Sequence, residues 1–264
     1  MKLVATDLDG TFLDDNGNFD GDRLHYILDK FLERDILFIA ASGRSLLALE
    51  KIFSDYKAKM GFIAENGTLV KVGDDIIYES YLKKEQYLEI IDTLTESPYM
   101  NGYDFLLSGT KGAYVHPDAS PSYVSFISNY YEKVQRVSSL ASVTDTILKI
   151  TANFSEETVR LGEAWFNERI DYAAAVTTGF KSVDIVIRDV NKRTGLESLC
   201  EKYGIVTSDI LAFGDNLNDY EMLEFAGTAV ATQNARVEIK EISDYVIGHC
   251  DDGAVMDYME GIVK

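Results

Sequence analysis

Four short apolar runs in this chain share one design. KLVATDLDGT (2–11), ILFIAASGR (36–44), GFIAENGT (61–68) and DILAFGDNLND (209–219) each end in small and polar residues. Their apolar residues run on continuously instead of alternating, the pattern of strands buried on both faces, as in parallel sheets. Helical spacing fills the gaps: Leu24, Ile27, Leu28, Phe31 and Leu32 mark RLHYILDKFLERD (23–35), and SLLALEKIFSDY (45–56) follows the second run. Strand, helix, strand, helix, strand predicts an α/β fold with a Rossmann-like, doubly wound parallel sheet. Such sheets bind ligands outside the carboxyl ends of their strands, where all four polar clusters fall.

The middle of the chain follows another pattern. Helices are expected over 84–97, 122–135 and 156–169, paired strands over YDFLLSG (103–109) and KGAYVH (111–116), and a further strand over 145–154. Residues 171–190 read as two strands around a Gly179 turn. The α/β pattern then resumes with a helix over 192–204 stopped by Gly204, the strand DILAFGD, a strand over 227–232, a helix ARVEIKEIS and a strand DYVIG. The expected organisation is a core of residues 1–81 and 187–264 interrupted by an inserted α+β segment, 82–186.

A formal charge of -19 would repel nucleic acid backbones and anionic membranes, so no nucleic acid or membrane partner is expected and an anionic ligand requires local cations. The start, MKLVATDLDG, has no basic segment followed by a long apolar stretch, which points to a soluble cytoplasmic protein. Cys200 and Cys250 are too few and too far apart for a disulfide framework or zinc site and read as structural thiols. His25, His116 and His249 are scattered. Proton transfer therefore falls to carboxylates, and no obligate protein partner is inferred.

Asp7, Asp9, Gly10 and Thr11 form D-x-D-G-T at the end of the first strand. A lone Asp-Gly pair there is usually only a turn. The complete pattern is rarer, arising by chance in on the order of one chain in a few hundred. With ASGR, a lysine opening a helix and GDNLNDYEML in that order, the chain resembles the haloacid dehalogenase superfamily along its length, most closely its Cof-type (IIB) sugar-phosphate phosphatases. The resemblance implies that Asp7 is a nucleophile and Asp9 an acid/base. It further implies that Ser42 and Lys192 hold the transferring phosphoryl group, and that Asp215 and Asp219 support Mg²⁺ beside Asp7 and Asp9. Asn66 is implied to lie near substrate, with Gly10, Gly43, Arg44 and Asn218 completing the candidate binding set; Arg44 reads equally as the partner of a neighbouring acid. Ser42 stands where the family commonly has Thr, keeping the hydroxyl. Thr232 to Ala235 reads Thr-Gln-Asn-Ala where the family often has Met-Gly-Asn-Ala, and no role is assigned to it. The inserted segment is implied to be a C2-type cap that sets selectivity, with Tyr103, Lys111, Tyr114 and His116 as polar and aromatic candidates.

The chemistry can also be built from the residues. Phosphate monoester transfer needs in-line attack, neutralised equatorial oxygens and a proton for the leaving alkoxide. An ionised aspartate can attack phosphorus, splitting one hard displacement into two easier ones. A second carboxyl two residues on along an extended strand reaches the same side and can move the proton. An Asp of ordinary pKa is only about one part in a thousand protonated at neutral pH. Neighbouring carboxylates raise that pKa and a directly bound cation lowers it, so the Asp9 carboxylate is expected outside the metal's first shell. Several carboxylates facing a phosphate dianion need cations, which Mg²⁺ and Lys192 supply. Ser42, at a strand-to-helix junction, offers a hydroxyl and exposed backbone N–H groups to phosphate oxygens. The expected activity is Mg²⁺-dependent hydrolysis of a small phosphorylated metabolite. A phosphomutase sharing the aspartyl-phosphate, or a non-catalytic phospho-receiver, is the alternative.

Overall fold

The first strand, β1 (Leu3–Thr6), is wholly buried and leads into the D-x-D-G-T turn. It is followed by α1 (Gly21–Glu33), β2 (Leu37–Ala41), α2 (Leu46–Ile52), β3 (Gly61–Ala64), β4 (Leu69–Val72) and β5 (Asp75–Glu79). Then come α3 (Lys84–Glu96), β6 (Phe105–Gly109), β7 (Ala113–Val115), α4 (Pro121–Ile127), β8 (Val134–Arg136), β9 (Ile147–Asn153), α5 (Val159–Asn167), β10 (Ala173–Thr177) and β11 (Ser182–Ile187). The chain closes with α6 (Lys192–Tyr203), β12 (Ile210–Gly214), α7 (Tyr220–Phe225), β13 (Thr228–Ala231), α8 (Val237–Ile242), β14 (Tyr245–Val246) and α9 (Ala254–Val263). This computed structural model describes residues 1–178 and 181–264, so the turn expected at Gly179 lies outside the described residues. Among the described residues, no helix is long and apolar enough to cross a membrane.

The chain divides into two compact units. One comprises Met1–Gly43, Leu49–Glu79 and Asn191–Lys264, the other Arg44–Ala48 and Ser80–Val190. In the first, eight strands run in the order β14-β13-β12-β1-β2-β3-β4-β5. The six from β14 to β3 are parallel. From β1 the chain steps outward through β2 and β3, then returns to the other side of β1 at β12. That reversal is the topological switch point of a doubly wound sheet, and the two strands flanking it pair in register, Thr6 opposite Phe213. Leu3, Ala5, Ile39, Ile63 and Ala212 build one buried layer with Leu196 and Leu199 of α6 and Met222 of α7. Helix α1 starts earlier than its apolar spacing suggests because the Asp20 side chain accepts from the Arg23 N–H at 3.0 Å, and it buries Leu24, Ile27, Leu28 and Phe31.

Two elements were not read from the sequence and one is shorter than expected. The hairpin β4–β5 adds two antiparallel strands to the sheet through a two-residue turn at Gly73 and Asp74, and α9 closes the chain. Helix α2 is shorter than the 45–56 stretch.

In the second unit six strands run β10-β11-β9-β6-β7-β8, all antiparallel pairs except β7 with β8. Tyr87, Ile90 and Leu94 of α3 and Phe166 of α5 pack on one face against Phe105, Leu107, Ile150, Val183 and Ile185. Leu106, Ala113 and Val115 meet Tyr123 and Ile127 of α4 in a separate cluster. The helix expected over 122–135 stops after its first half. Ser128 and Asn129 turn their side chains back onto the carbonyls of Val124, Ser125 and Phe126, Lys133 takes a positive φ of 52°, and residues 134–136 become an edge strand instead.

Candidate active site

Asp7 follows directly on β1, and burial in the surrounding sheet leaves it 5% exposed. Lys192, the first residue of α6, is wholly buried (0%). Its Nζ donates to Asp7 Oδ1 and to Asp219 Oδ1, each at 2.5 Å. Asp219 is equally buried, and its second oxygen accepts the backbone N–H groups of Asp215 (3.0 Å) and Asn216 (3.1 Å). One carboxylate thus anchors the lysine and shapes the G-D-N-L-N-D loop. Asp215 Oδ1 receives the Thr11 hydroxyl at 2.9 Å, which ties that loop to the D-x-D-G-T turn.

Two close approaches set this geometry. Gly10 has φ +84°, and a Cβ there would come within 2.6 Å of Asp215 Oδ2. Gly67 has φ +106°, and its Cβ would fall 1.9 Å from the Asn191 carbonyl, so only glycine lets the turn after β3 reach the start of α6. Asn191 caps α6 by accepting from the Thr194 N–H. Lys192 is thereby delivered to the carboxylates from a fixed helix end.

Carboxylate oxygens of Asp7, Asp215 and Asp219 lie within 4.8 Å of one another. Burial, then the neighbouring Asp219, raises the Asp7 carboxyl well above its usual range despite Lys192, with Asp215 and Asp9 adding to the effect. Burial and Asp219 likewise push Asp215 up to about 6. Burial disfavours the charged lysine, but Asp219 and Asp7 outweigh it and hold Lys192 above its ordinary value. Three carboxylates against one ammonium leave two negative charges, all on hard oxygen donors. That balance and donor set fit a divalent cation of the Mg²⁺ kind.

The remaining sequence-predicted residues fall as follows. Asp9, grouped with the metal set on sequence grounds, stands outside the three-carboxylate cluster and is exposed beyond the buried Leu8, its backbone bridged to Leu13. Ser42 is buried at the end of β2, but its N–H is committed to the Ile63 carbonyl at 2.8 Å. That amide therefore belongs to the sheet and is not among the exposed N–H groups expected at the junction. Asn66, with φ 57°, donates its N–H to the Ser42 carbonyl and accepts from Asn218 Nδ2 at 3.3 Å. Gly43 approaches that amide closely, its ideal Cβ falling 3.0 Å from Asn66 Oδ1. Ser42, Gly43, Asn66 and Asn218 are therefore one connected group on the same unit. Arg44 groups with the second unit. There Tyr114 donates to Asp145 at 3.0 Å, Lys111 gives its N–H to the same carboxylate, and Tyr103 stacks on His116 at 4.0 Å.

Sequence reasoning missed the loop after β13. Thr232 Oγ1 (3.2 Å) and Asn234 Nδ2 (2.6 Å) both donate to the Gly10 carbonyl, and Asp215 O accepts from the Arg236 N–H at 2.9 Å. The Thr-Gln-Asn-Ala stretch is thus a clamp on the D-x-D-G-T turn. Its position one strand beyond GDNLND was the available signal.

A doubly wound sheet with these strand-end carboxylates, a buried helix-start lysine and the G-D-x-x-x-D loop at the switch point defines the haloacid dehalogenase-like hydrolases. The chain belongs to that family, whose model matches residues 4–259, and it is an enzyme of the family's phosphatase branch. It is 28% identical over 265 residues to the 5-amino-6-(5-phospho-D-ribitylamino)uracil phosphatase YbjI of Escherichia coli (strain K12), covering 100% of this chain and 97% of that protein. Phosphoglycolate phosphatase 1 of Saccharolobus solfataricus is 25% identical over 267 residues, covering 100% of this chain and 96% of that one. The crystal structure of SMU.1108c from Streptococcus mutans UA159 superposes with a TM-score of 0.92 at 27% identity, covering 99% of this chain and 98% of the other. The HAD subclass IIB sugar phosphatase BT4131 shares the fold, with a TM-score of 0.83 at 20% identity over 99% of each chain.

Proposed function

We propose that this protein is a Mg²⁺-dependent phosphatase that hydrolyses small phosphate monoesters through an aspartyl-phosphate on Asp7. The observation that carries the reading is the buried bridge from Lys192 to Asp7 and Asp219, set at the switch point with Asp215 alongside. Asp7, Asp215 and Asp219 would hold the cation, which when bound supplies charge neutralisation for the cluster and the phosphate. Lys192 fixes the Asp7 carboxylate on one oxygen, leaving the other to attack phosphorus. The P–O bond to the alcohol breaks as the Asp7–P bond forms, and Asp9 gives the departing alkoxide a proton. Asp9 then takes a proton from the water that attacks the phosphoryl group, releasing phosphate and restoring Asp7. The Ser42 hydroxyl and the connected amides of Asn66 and Asn218 orient the phosphate oxygens.

Sugar and polyol phosphates and phosphorylated cofactors are the proposed substrates. The name of the Escherichia coli relative, a ribityl-phosphate phosphatase, supports a polyol phosphate. Selectivity is assigned to the inserted segment, 82–186.

The test is inorganic phosphate release from a panel of sugar, polyol and cofactor monoesters, with Mg²⁺ or EDTA, by wild type and Asp7→Asn. Expected is Mg²⁺-dependent release that the substitution abolishes. Absence of release from every ester by folded, Mg²⁺-supplied protein overturns hydrolysis. Dependence on a bisphosphate activator would then indicate a mutase, and stable labelling of Asp7 without turnover a receiver.

A further inference from the structure

Outside the carboxylate cluster, the described residues hold one other group with metal-ligand chemistry: His249, Cys250 and Asp251, whose ligand atoms all lie within 4.8 Å of one another. Cys250 is buried at the floor (2% exposed), while the His249 and Asp251 side chains are partly open to solvent. The Cys250 sulfur stands 3.6 Å from His249 Nδ1 and 3.9 Å from Asp15 Oδ1, and Asp251 Oδ2 is 3.6 Å from the same Nδ1. We propose that His249 Nδ1, Cys250 Sγ and one oxygen each of Asp251 and Asp15 form a second divalent-metal site, thiophilic where the first is hard, which takes Zn²⁺ or Co²⁺.

The distances carry this. An ion about 2.3 Å from a thiolate sulfur and about 2.0 Å from an imidazole nitrogen spans the 3.6 Å gap at about 113°, close to the tetrahedral value. Asp251 is the third member of the same group, and Asp15 Oδ1, 3.9 Å from the sulfur, would have to move inward to become the fourth ligand. His249 Nδ1 accepts the Asp251 N–H at 3.2 Å, and the ion would take the place of that donor. The ligand set is also buttressed. Asp251 Oδ1 accepts the Asp15 N–H at 2.8 Å, leaving Oδ2 for the ion, and the Cys250 N–H is held by Asn234 Oδ1 at 3.1 Å.

Binding is an ordinary exchange. The thiol proton goes to solvent as the S–metal bond forms, and no electrons move. The thiol is the resting form, since burial, then Asp251 and Asp15, push it up to about 11. Occupancy would fasten the turn carrying Asp15, just after D-x-D-G-T, to the Cys250 turn, which Asn234 already joins to the Gly10 carbonyl.

The experiment uses the full chain in excess Mg²⁺, so that the hard cluster is supplied, and titrates Co²⁺ while recording absorption. One equivalent is expected to bring a thiolate-to-cobalt charge-transfer band with intense tetrahedral d–d bands, which Zn²⁺ then bleaches. Cys250→Ser should lose the charge-transfer band and Cys200→Ser should keep it. His249→Gln and Asp15→Asn should each weaken Co²⁺ binding by about tenfold or more. No thiolate–cobalt absorption in excess Co²⁺, an unchanged band in Cys250→Ser, or unchanged affinity in both His249→Gln and Asp15→Asn would overturn the proposal.

Discussion

Lys192 sits where two buried carboxylates converge, so its removal leaves charge with no partner in a low-dielectric interior. Breaking such a pair from one side costs about 3–5 kcal/mol. Lys192→Met is therefore expected to lower unfolding stability by that amount in EDTA, measured by urea denaturation, and to abolish phosphate release. Part of the loss should return with Mg²⁺, which neutralises the same carboxylates. A smaller effect belongs to Asn234, which joins the Gly10 carbonyl to the Cys250 N–H. Asn234→Ala should cost about 1–2 kcal/mol by the same measurement. The carboxylates and the lysine that meet at the strand ends were legible because D-x-D-G-T, the helix-start lysine and GDNLND are dense patterns of charged residues. Thr232 and Asn234 were not, because their partner is a backbone carbonyl more than two hundred positions away, and only the register of β13 beside β12 brings them to it.

At the scale of elements, the site depends on how closely the turn after β3 meets the start of α6. Gly67 faces the Asn191 carbonyl at a distance no Cβ tolerates, and its φ is in the left-handed region. Gly67→Ala should displace the Asn191 cap and with it Lys192, costing at least about 2 kcal/mol and reducing turnover more than substrate affinity. Thermal denaturation and a KM-against-kcat comparison check this. Gly73→Ala is the contrast, because that glycine also has positive φ but open space around it, and it should cost only about 1 kcal/mol. The buried parallel strands and capped helices were readable from apolar runs and end signals. The β4–β5 hairpin was not, since its second strand is largely exposed and its register slips between Val70 and Lys71, so neither continuous burial nor clean alternation marks it. The false half of the 122–135 helix shows the converse. Its apolar and aromatic residues have helical spacing, but Ser128 and Asn129 compete for the carbonyls a longer helix would use.

For the whole molecule, a formal charge of -19 makes cations and protons the ligands that govern stability. Asp7 and Asp215 are held above the usual carboxylate range in the folded, metal-free protein, Asp215 at about 6. Between the ordinary aspartate value near 4 and about 6, the folded state therefore binds more protons than the unfolded chain. Stability of the metal-free protein then falls with rising pH through that interval. A divalent cation bound by the same oxygens must displace those protons, so its affinity moves the opposite way, growing as pH rises through about 6. Because an ion that binds only the folded state stabilises by mass action, the rise in Tm between EDTA and saturating Mg²⁺ should be several degrees at about pH 8 and small at about pH 5. Differential scanning fluorimetry at the two pH values reads this directly. Asp215→Asn should flatten the dependence, since it removes one of the carboxylates that titrate and bind. An equal Mg²⁺-induced shift at both pH values would mean that the cation is held elsewhere than on Asp7, Asp215 and Asp219.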